Sequence, residues 1–391
     1  MHLMILGAGP FQASGIKKAV EMGYEVTTVD YLPDSIGNQL SHHYVNLSTT
    51  DFENVFSAAQ RAGIKGICTF SSDVAIPTVG YVCDRLGLPG LSFNAARIMS
   101  SKHTFRNFQH SEGLNHPIFF SAHSLDELKI NLQTIKPPCI LKPVDASGSR
   151  GISKIASLEH EELIKAFSYA KRHSRSGMVC IEESLEGIEI GGDGFLIDGR
   201  FSFVAITQKH MNGFVVTGHS LPTNISQLDQ GRVVEELETA CAKLNYKNGS
   251  LNFDVMVSPK KVVILEMSAR NGGNGIPLVI NQDTGVDLEV LTIRSAMGVK
   301  VSLPESAMNG KFPTVGHCAG SYVFGSTIGG TLTSIATLNE LLETVPEVTH
   351  YHLFHKSGDK ISPFEHNGNL LGYAVFHFDI GKYSDTIQRL K

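Results

Sequence analysis

The sequence predicts an α/β protein: a parallel sheet wound with helices comes first, and an α+β region built on charge-bearing strands follows it. Three observations predict this. Strand and helix patterns alternate as far as about residue 93. Beyond that point lysines and acids appear inside otherwise apolar strands. Further on, "LNFDVMVSPKKVVILE" reads as two β-rich runs joined by the turn-forming "SPKK".

Taken in order, residues 2–6 are a buried strand, "GAGPFQASG" is a glycine turn, 14–22 is an amphipathic helix and 24–30 is the next strand. "VNLS", a helix over 51–62, "GICTFSS", a helix over 74–86 and "LPGLS" continue the alternation. The glycine turn, with Asp30 at the right distance to hold a ribose, partly matches a dinucleotide fingerprint. The third glycine of that motif is replaced by Gln12, and it is the glycine that lets helix and strand pack closely. A structural or small-substrate role for the turn fits better.

Bulk properties set outer limits. A chain of 391 residues is too long for one core and suggests two or three domains. A net charge of −5 and a pI near 6.4, without any basic block, argue against a nucleic-acid partner. The longest apolar runs are strand-length and the N-terminus shows no leader pattern, so a cytoplasmic chain with no membrane partner is expected. Six cysteines lack C-x-x-C pairing and fit buried thiols in a reducing compartment.

"ARIMSSKHTFRNF" reads as one amphipathic helix with Lys102 and Arg106 on a single face, the pattern of a solvated surface. "PPCILKPVDASGSRGISKI" says more. Its strand 139–142 delivers Lys142 just before a loop with Ser147, Gly148, Ser149 and Gly151. Glycines let backbone N–H groups turn inward together, hydroxyls add donors and the lysine adds charge, which makes a phosphate cradle. It is not a Walker A sequence, because no G-K-[ST] opens a helix. "MVCIEESLEGIEI" then carries an apolar strand into Glu182 and Glu183, past Leu185, to Glu189. Extended backbone beside an apolar wall suits an adenine edge, and an acid suits ribose hydroxyls.

In the hairpin, a turn near Pro259–Lys260 puts Asp254 opposite Leu265 or Glu266. Opposed side chains sit roughly 5 Å apart, where like charges repel unless a proton or a cation lies between them. Oxygen ligands of this kind suit Mg²⁺, which takes one or two carboxylates and completes its shell with water and phosphate. Of the histidines, His219 in "TGHSLP" is read as a loop residue in the region that would face a substrate, although a purely structural hydrogen bond fits better. His350 and His352 share a strand face, where a subunit contact or surface strand fits better than a metal site.

With these segments in order, the chain resembles the ATP-grasp superfamily of ATP-dependent carboxylate ligases and is similar to carbamoyl-phosphate synthetase large subunits, biotin carboxylases and amino-acid ligases. The resemblance implies a Rossmann-like pre-ATP-grasp domain over 1–93 that binds no dinucleotide. An ATP-grasp domain would span 94–300, with a mobile lid lobe over about 139–185, and a small C-terminal β-rich domain would span 301–391. It implies ATP and Mg²⁺ as cofactors, small-molecule carboxylate and amine substrates, and a homodimer. Lys102 and Lys142 would bind ATP phosphates under the 147–151 loop. Glu182, Glu183 and the backbone through Leu185 would face adenine, and Glu189 the ribose. Asp254, Glu266 and Ser268 would hold the metal. Arg270 would face an acyl phosphate, with Lys142 and Glu266 also catalytic, and His219 and Gly273 would lie near the substrates. Ser268 stands where related chains commonly carry an asparagine, a better metal ligand. That keeps an ATP-binding scaffold or sensor open; within enzymes the alternative is a carboxylase or carbamoyl-phosphate-type enzyme using bicarbonate.

Overall fold

The computed structural model describes residues 1–303 and 318–391. Residues 304–317, at the start of the expected C-terminal segment, lie outside the described residues. The first sheet is parallel, in the order β3-β2-β1-β4, and is built from β1 (His2–Leu6), β2 (Glu25–Asp30), β3 (His43–Asn46) and β4 (Gly66–Thr69). The connecting helices are α1 (Pro10–Glu21), α2 (Ile36–Leu40) and α3 (Phe52–Ala62), with α4 (Ile76–Leu86) following β4. Helix α1 begins inside the stretch expected to be a turn, because Pro10 at its start has no N–H to lose and its fixed φ already suits a helix. The Asp30 carboxylate accepts the N–H groups of Ala8 at 2.8 Å and Leu32 at 2.9 Å, so it braces the glycine turn. Gln12 donates to the Phe70 carbonyl at 2.6 Å.

The helix expected across 96–108 is two helices, α5 (Phe93–Met99) and α6 (Lys102–Ser111). Ser92 caps the first, and the Lys102 N–H opens the second by donating to the Val144 carbonyl at 2.7 Å, a long-range bond that sequence periodicity does not register. A small antiparallel sheet follows, ordered β5-β8-β6-β7, from β5 (Phe119–Ala122), β6 (Cys139–Pro143), β7 (Ser153–Ile155) and β8 (Val179–Glu183). Helices α7 (Leu125–Ile130) and α8 (His160–His173) accompany it. This lobe therefore begins with β5, ahead of the boundary near residue 139 expected from the sequence.

The largest sheet has eight strands in the order β13-β12-β9-β10-β11-β14-β18-β16. Its members are β9 (Ile188–Ile197), β10 (Arg200–Asn212), β11 (Val215–Leu221), β12 (Gly249–Val257), β13 (Val262–Ser268), β14 (Cys318–Phe324), β16 (Val348–Leu353) and β18 (Gly372–Phe378). The short strands β15 (Gly330–Thr331) and β17 (Lys360–Ile361) pair with each other. The C-terminal strands thus extend the central sheet. Helix α9 (Gln227–Lys243) packs Val233, Val234 and Leu237 against Leu251, Phe253 and Ile264, and full burial of each such side chain contributes roughly 1.5–3 kcal/mol. Helices α10 (Ile276–Thr284) and α11 (Leu288–Ala296) cover the other side with Val279, Ile280, Leu288 and Leu291. All six cysteines are buried and free. Among the described residues no helix is long and apolar enough to cross a membrane.

Candidate active site

Strand β12 explains how acids come to line a cleft. Phe253, Val255 and Val257 point into the core, while Asn252, Asp254 and Met256, two residues apart, face a cavity of about 550 Å³ between the lobes. In β13 the ladder runs in simple register from Val257↔Val262 to Val255↔Ile264, then slips so that Asp254 faces Glu266. Leu265 is the extra residue of a β-bulge. Leu265 and Glu266 therefore both line the cavity, which consecutive residues of a regular strand cannot do.

The two facing acids each meet a lysine. Lys209 on β10 lies 2.9 Å from Asp254 and 2.6 Å from Glu189. Lys102, at the start of α6, lies 3.4 Å from Glu266 and donates to the Ala146 carbonyl at 2.9 Å. Burial raises the Asp254 pKa above its ordinary value, Lys209 opposes this and Glu189 adds to it. The Lys209 ammonium is held well above its usual value because the two acids outweigh its own burial. The floor of the cleft is open here because residue 191 is glycine: a Cβ would stand 2.9 Å from Asp254 Oδ1 and 3.1 Å from His219 Cε1. Among the described residues no group of three or more His, Cys, Asp or Glu is arranged to hold a metal. A cation between Asp254 and Glu266 would need further oxygens from a ligand or water, a demand that suits Mg²⁺ beside phosphate.

Lys142 points from β6 into the same cleft, 2.7 Å from Glu182 on β8. Burial favours protonation of Glu182, but the charges of Arg106 and Lys142 outweigh it and hold the carboxyl at about 2. Burial pulls the Lys142 ammonium below its ordinary value against Glu182, and neighbouring Arg106 and Lys102 add to the pull. Both values are lowered, because the neighbouring cations favour the Glu182 carboxylate and disfavour a further charge on Lys142. Contrary to the expected solvated face, Arg106 is fully buried. The Glu182 carboxylate, expected to face adenine, is likewise engaged with cations, and Glu183, Ser184 and Leu185 line the cavity beside it. Glu183 itself meets Lys261 at 3.4 Å, and Glu189, expected to face ribose, lies 2.6 Å from Lys209.

The loop after β6 has positive φ at Gly148, Ser149 and Gly151, and Ser147, Gly148 and Ser149 face the cavity. Arg150 folds back to donate to the Ser147 carbonyl at 2.9 Å. From the C-terminal region, the Asn367 N–H donates to the Gly148 carbonyl at 3.1 Å, so the loop is tied at its tip.

Arg270 lies at the other end. Its Nε and Nη2 donate to Asp73 Oδ1 at 2.9 and 2.5 Å, and its Nη1 donates to Asn252 Oδ1 at 2.7 Å and to the Asn271 carbonyl at 2.9 Å. Asp73 sits just after β4, so the first sheet contributes an acid to this cleft. Burial opposes the ionisation of Asp73, but Arg270 prevails and keeps its pKa below the ordinary value. Gly273 lines the cavity near Ser71, whose hydroxyl donates to the Gly272 carbonyl at 2.8 Å. Ser268, expected among the metal ligands, is 4% exposed and does not line the cavity that Asp254 and Glu266 face. The amide that faces the cleft instead belongs to Asn252, opposite Ser268 on β12.

His219 is a strand residue, not a loop residue. It lies in β11 between β10 and β14, with Nδ1 2.9 Å from the Thr207 hydroxyl, and burial together with the Lys209 charge keeps it neutral. His350 bonds to Gln282 at 2.9 Å and His352 packs on Phe354 and Tyr373, which are structural contacts.

Sequence reasoning missed Lys209, Asn252, Asp73 and Asp193. Lys209 carries the signal that revealed Lys142, a lysine inside the apolar alternation "VAITQKHM". Asp193 is fully buried beneath the site, accepts the Gly272 N–H at 2.8 Å and the Asn252 amide at 2.8 Å, and is raised by burial to about 6. It is ionised above that pH, when it grips Gly272 and Asn252 most firmly. Turnover should therefore fall as pH drops through about 6, and Asp193→Asn should flatten that limb. An unchanged acid limb in the variant assigns the titration to another group.

A cleft with a glycine and serine loop, lysines from two strands and the start of a helix, and two facing acids has the donors and charges that phosphate groups and a cation call for. Residues 135–277 match the ATP-grasp domain family, so the chain contains an ATP-grasp domain. It is 24% identical over 289 residues to alanine–anticapsin ligase of Bacillus subtilis, covering 68% of this chain and 61% of that protein. The chain thus spans about three-fifths of that relative's length. Among solved structures, the L-amino acid ligase of Bacillus licheniformis superposes with a TM-score of 0.82 at 21% identity, over 100% of this chain and 96% of that one. N5-Carboxyaminoimidazole synthetase of Staphylococcus aureus, solved with ADP, gives 0.77 at 14% identity, over 100% and 97%. These likenesses establish an ATP-grasp fold.

Proposed function

We propose that the chain is an ATP-dependent carboxylate–amine ligase, with small-molecule substrates, acting in the cytoplasm as a homodimer. The observation that carries this reading is the facing pair Asp254–Glu266, ringed by Lys102, Lys142, Lys209 and Arg270 within one cleft. We read residues 1–93 as the pre-ATP-grasp domain, 94–300 as the ATP-grasp domain and 301–391 as the C-terminal part. Asp254 and Glu266 would hold Mg²⁺, which when bound supplies charge neutralisation for the phosphate oxygens. Lys102, Lys142 and the 147–151 loop take the ATP phosphates. Glu183, Ser184 and Leu185 border the base, and Glu189 borders the ribose.

A free carboxylate is too poor an electrophile for an amine. Its oxygen attacks the γ-phosphorus and ADP leaves. The amine then attacks the acyl carbon, releasing phosphate and, from the nitrogen, a proton. Lys142 and Arg270 stabilise negative charge as it spreads on the transferred group. His219, neutral and buried at the cleft wall, and Gly273 border the substrates. No nucleophilic cysteine is called for: burial raises the Cys180 thiol, the one nearest Lys142, to about 12. Incubation with ATP, Mg²⁺ and a panel of amino acids should release ADP and phosphate in equal amounts. Stoichiometric AMP and pyrophosphate, or no release with any substrate, would sink the reading.

A further inference from the structure

We propose that Arg106 is a positioning residue that sets the spacing of the two metal-facing acids and, by the same guanidinium, fixes the phosphate-facing lysine. The proposal rests on the ligase reading above. The register of β12 and β13 is the starting point. Continued without a break from Val257↔Val262, the ladder would put Leu265 opposite Asp254 and turn Glu266 away. The bulge at Leu265 is what brings Glu266 round to face Asp254. A bulge turns carbonyls out of the ladder, and buried carbonyls need donors. Arg106 supplies them: Nη1 donates to the Ile264 carbonyl at 3.2 Å and Nη2 to the Leu265 carbonyl at 2.9 Å. Gln109, one helical turn on, adds a bond to Ile264 at 3.0 Å and accepts from Arg106 at 2.7 Å.

The rest of the fork faces the small sheet. Arg106 Nε lies 2.9 Å from Glu182 Oε1, and Glu182 Oε2 lies 2.7 Å from Lys142 Nζ. One planar group on α6 therefore bridges the bulged strand β13 and, through Glu182, the lysine strand β6. Lysine offers three donors from a single point and cannot span this set. Packing alone does not call for the residue, since a fully buried charge is costly and an apolar side chain of similar volume commonly serves a core equally well. What an apolar side chain cannot do is hold two bulge carbonyls and a carboxylate in one plane.

The test uses Arg106→Lys and the double variant Arg106→Met/Glu182→Met, which leaves no unpaired carboxylate in the core. ADP and AMP affinities are measured by calorimetry with and without Mg²⁺, beside thermal melts. Both variants should lose the Mg²⁺-dependent gain in ADP affinity by roughly ten- to a hundredfold, the usual cost of disturbing a group behind a metal ligand. AMP affinity, which reads the base end, should stay within about twofold of the wild type on the same reasoning. A lower melting temperature with the wild-type Mg²⁺ gain in either folded variant would overturn the proposal and leave Arg106 a purely structural residue. Failure of the wild-type chain to bind ADP at all would instead remove the ligase reading, and this inference with it.

Discussion

Glu266→Gln is expected to lower turnover by roughly a hundred- to a thousandfold, the range for removing one group that stabilises developing charge. It should also weaken Mg²⁺-dependent nucleotide binding. The glutamine keeps size and shape, so the bulge at Leu265 and the facing of residue 254 should survive. What is lost is one of the two negative charges on the cation site, and with it the partner of Lys102 at 3.4 Å. Because the metal is held in the ground state as well as in the transition state, apparent Mg²⁺ affinity and the turnover number should fall together. A Mg²⁺ titration at saturating ATP, repeated on Glu266→Gln, reads both. An unchanged Mg²⁺ midpoint would take Glu266 out of the metal site whatever happened to the rate.

Arg270→Lys is expected to lower turnover by about a hundredfold or more while leaving ATP affinity nearly unchanged. The structure makes this test sharper than the sequence did, because Arg270 is also a tie between lobes. It holds Asp73 after β4, Asn252 on β12 and the Asn271 carbonyl at once. A lysine can keep one or two of these bonds, so the melting temperature should drop as well, since Asp73 is only 20% exposed and its pairing is partly screened from solvent. Turnover per folded molecule separates the roles. If it is normal in a destabilised protein, Arg270 is a tie between the first sheet and the central sheet and nothing more. If it falls, the fork is needed where charge develops.

What was legible followed from local chemistry. Lys142 stood out because an apolar strand does not need a lysine, and the loop after it because its glycines and serines adjoin that charge. The acid hairpin was legible because "SPKK" fixes a turn between two β-rich runs, which limits Asp254 to one of two partners. His219 was misread because glycine and proline flank it in "TGHSLP", whereas pairing of β11 with β10 on one side and β14 on the other overrides that local signal. The break between α5 and α6 was missed for a similar reason: the bond that opens α6 comes from Val144, far along the chain.

The sequence by itself determined the order of elements, the lysine strand, the glycine and serine loop and the two acids, because each is a matter of periodicity or turn chemistry within a short window. Only the tertiary structure decided which of them meet. The choice of Glu266 over Leu265 as the partner of Asp254 depends on a bulge whose carbonyls are held by Arg106, 158 and 159 residues earlier. Arg270, expected to face substrate, lines the cleft and at the same time holds Asp73, 197 residues earlier, in the turn after β4. Glu182 and Glu189, expected to face adenine and ribose, are each paired with a buried lysine from another strand. In each case a charge leaving water must find its counter-charge in space, and the chain sets that match only once it has folded.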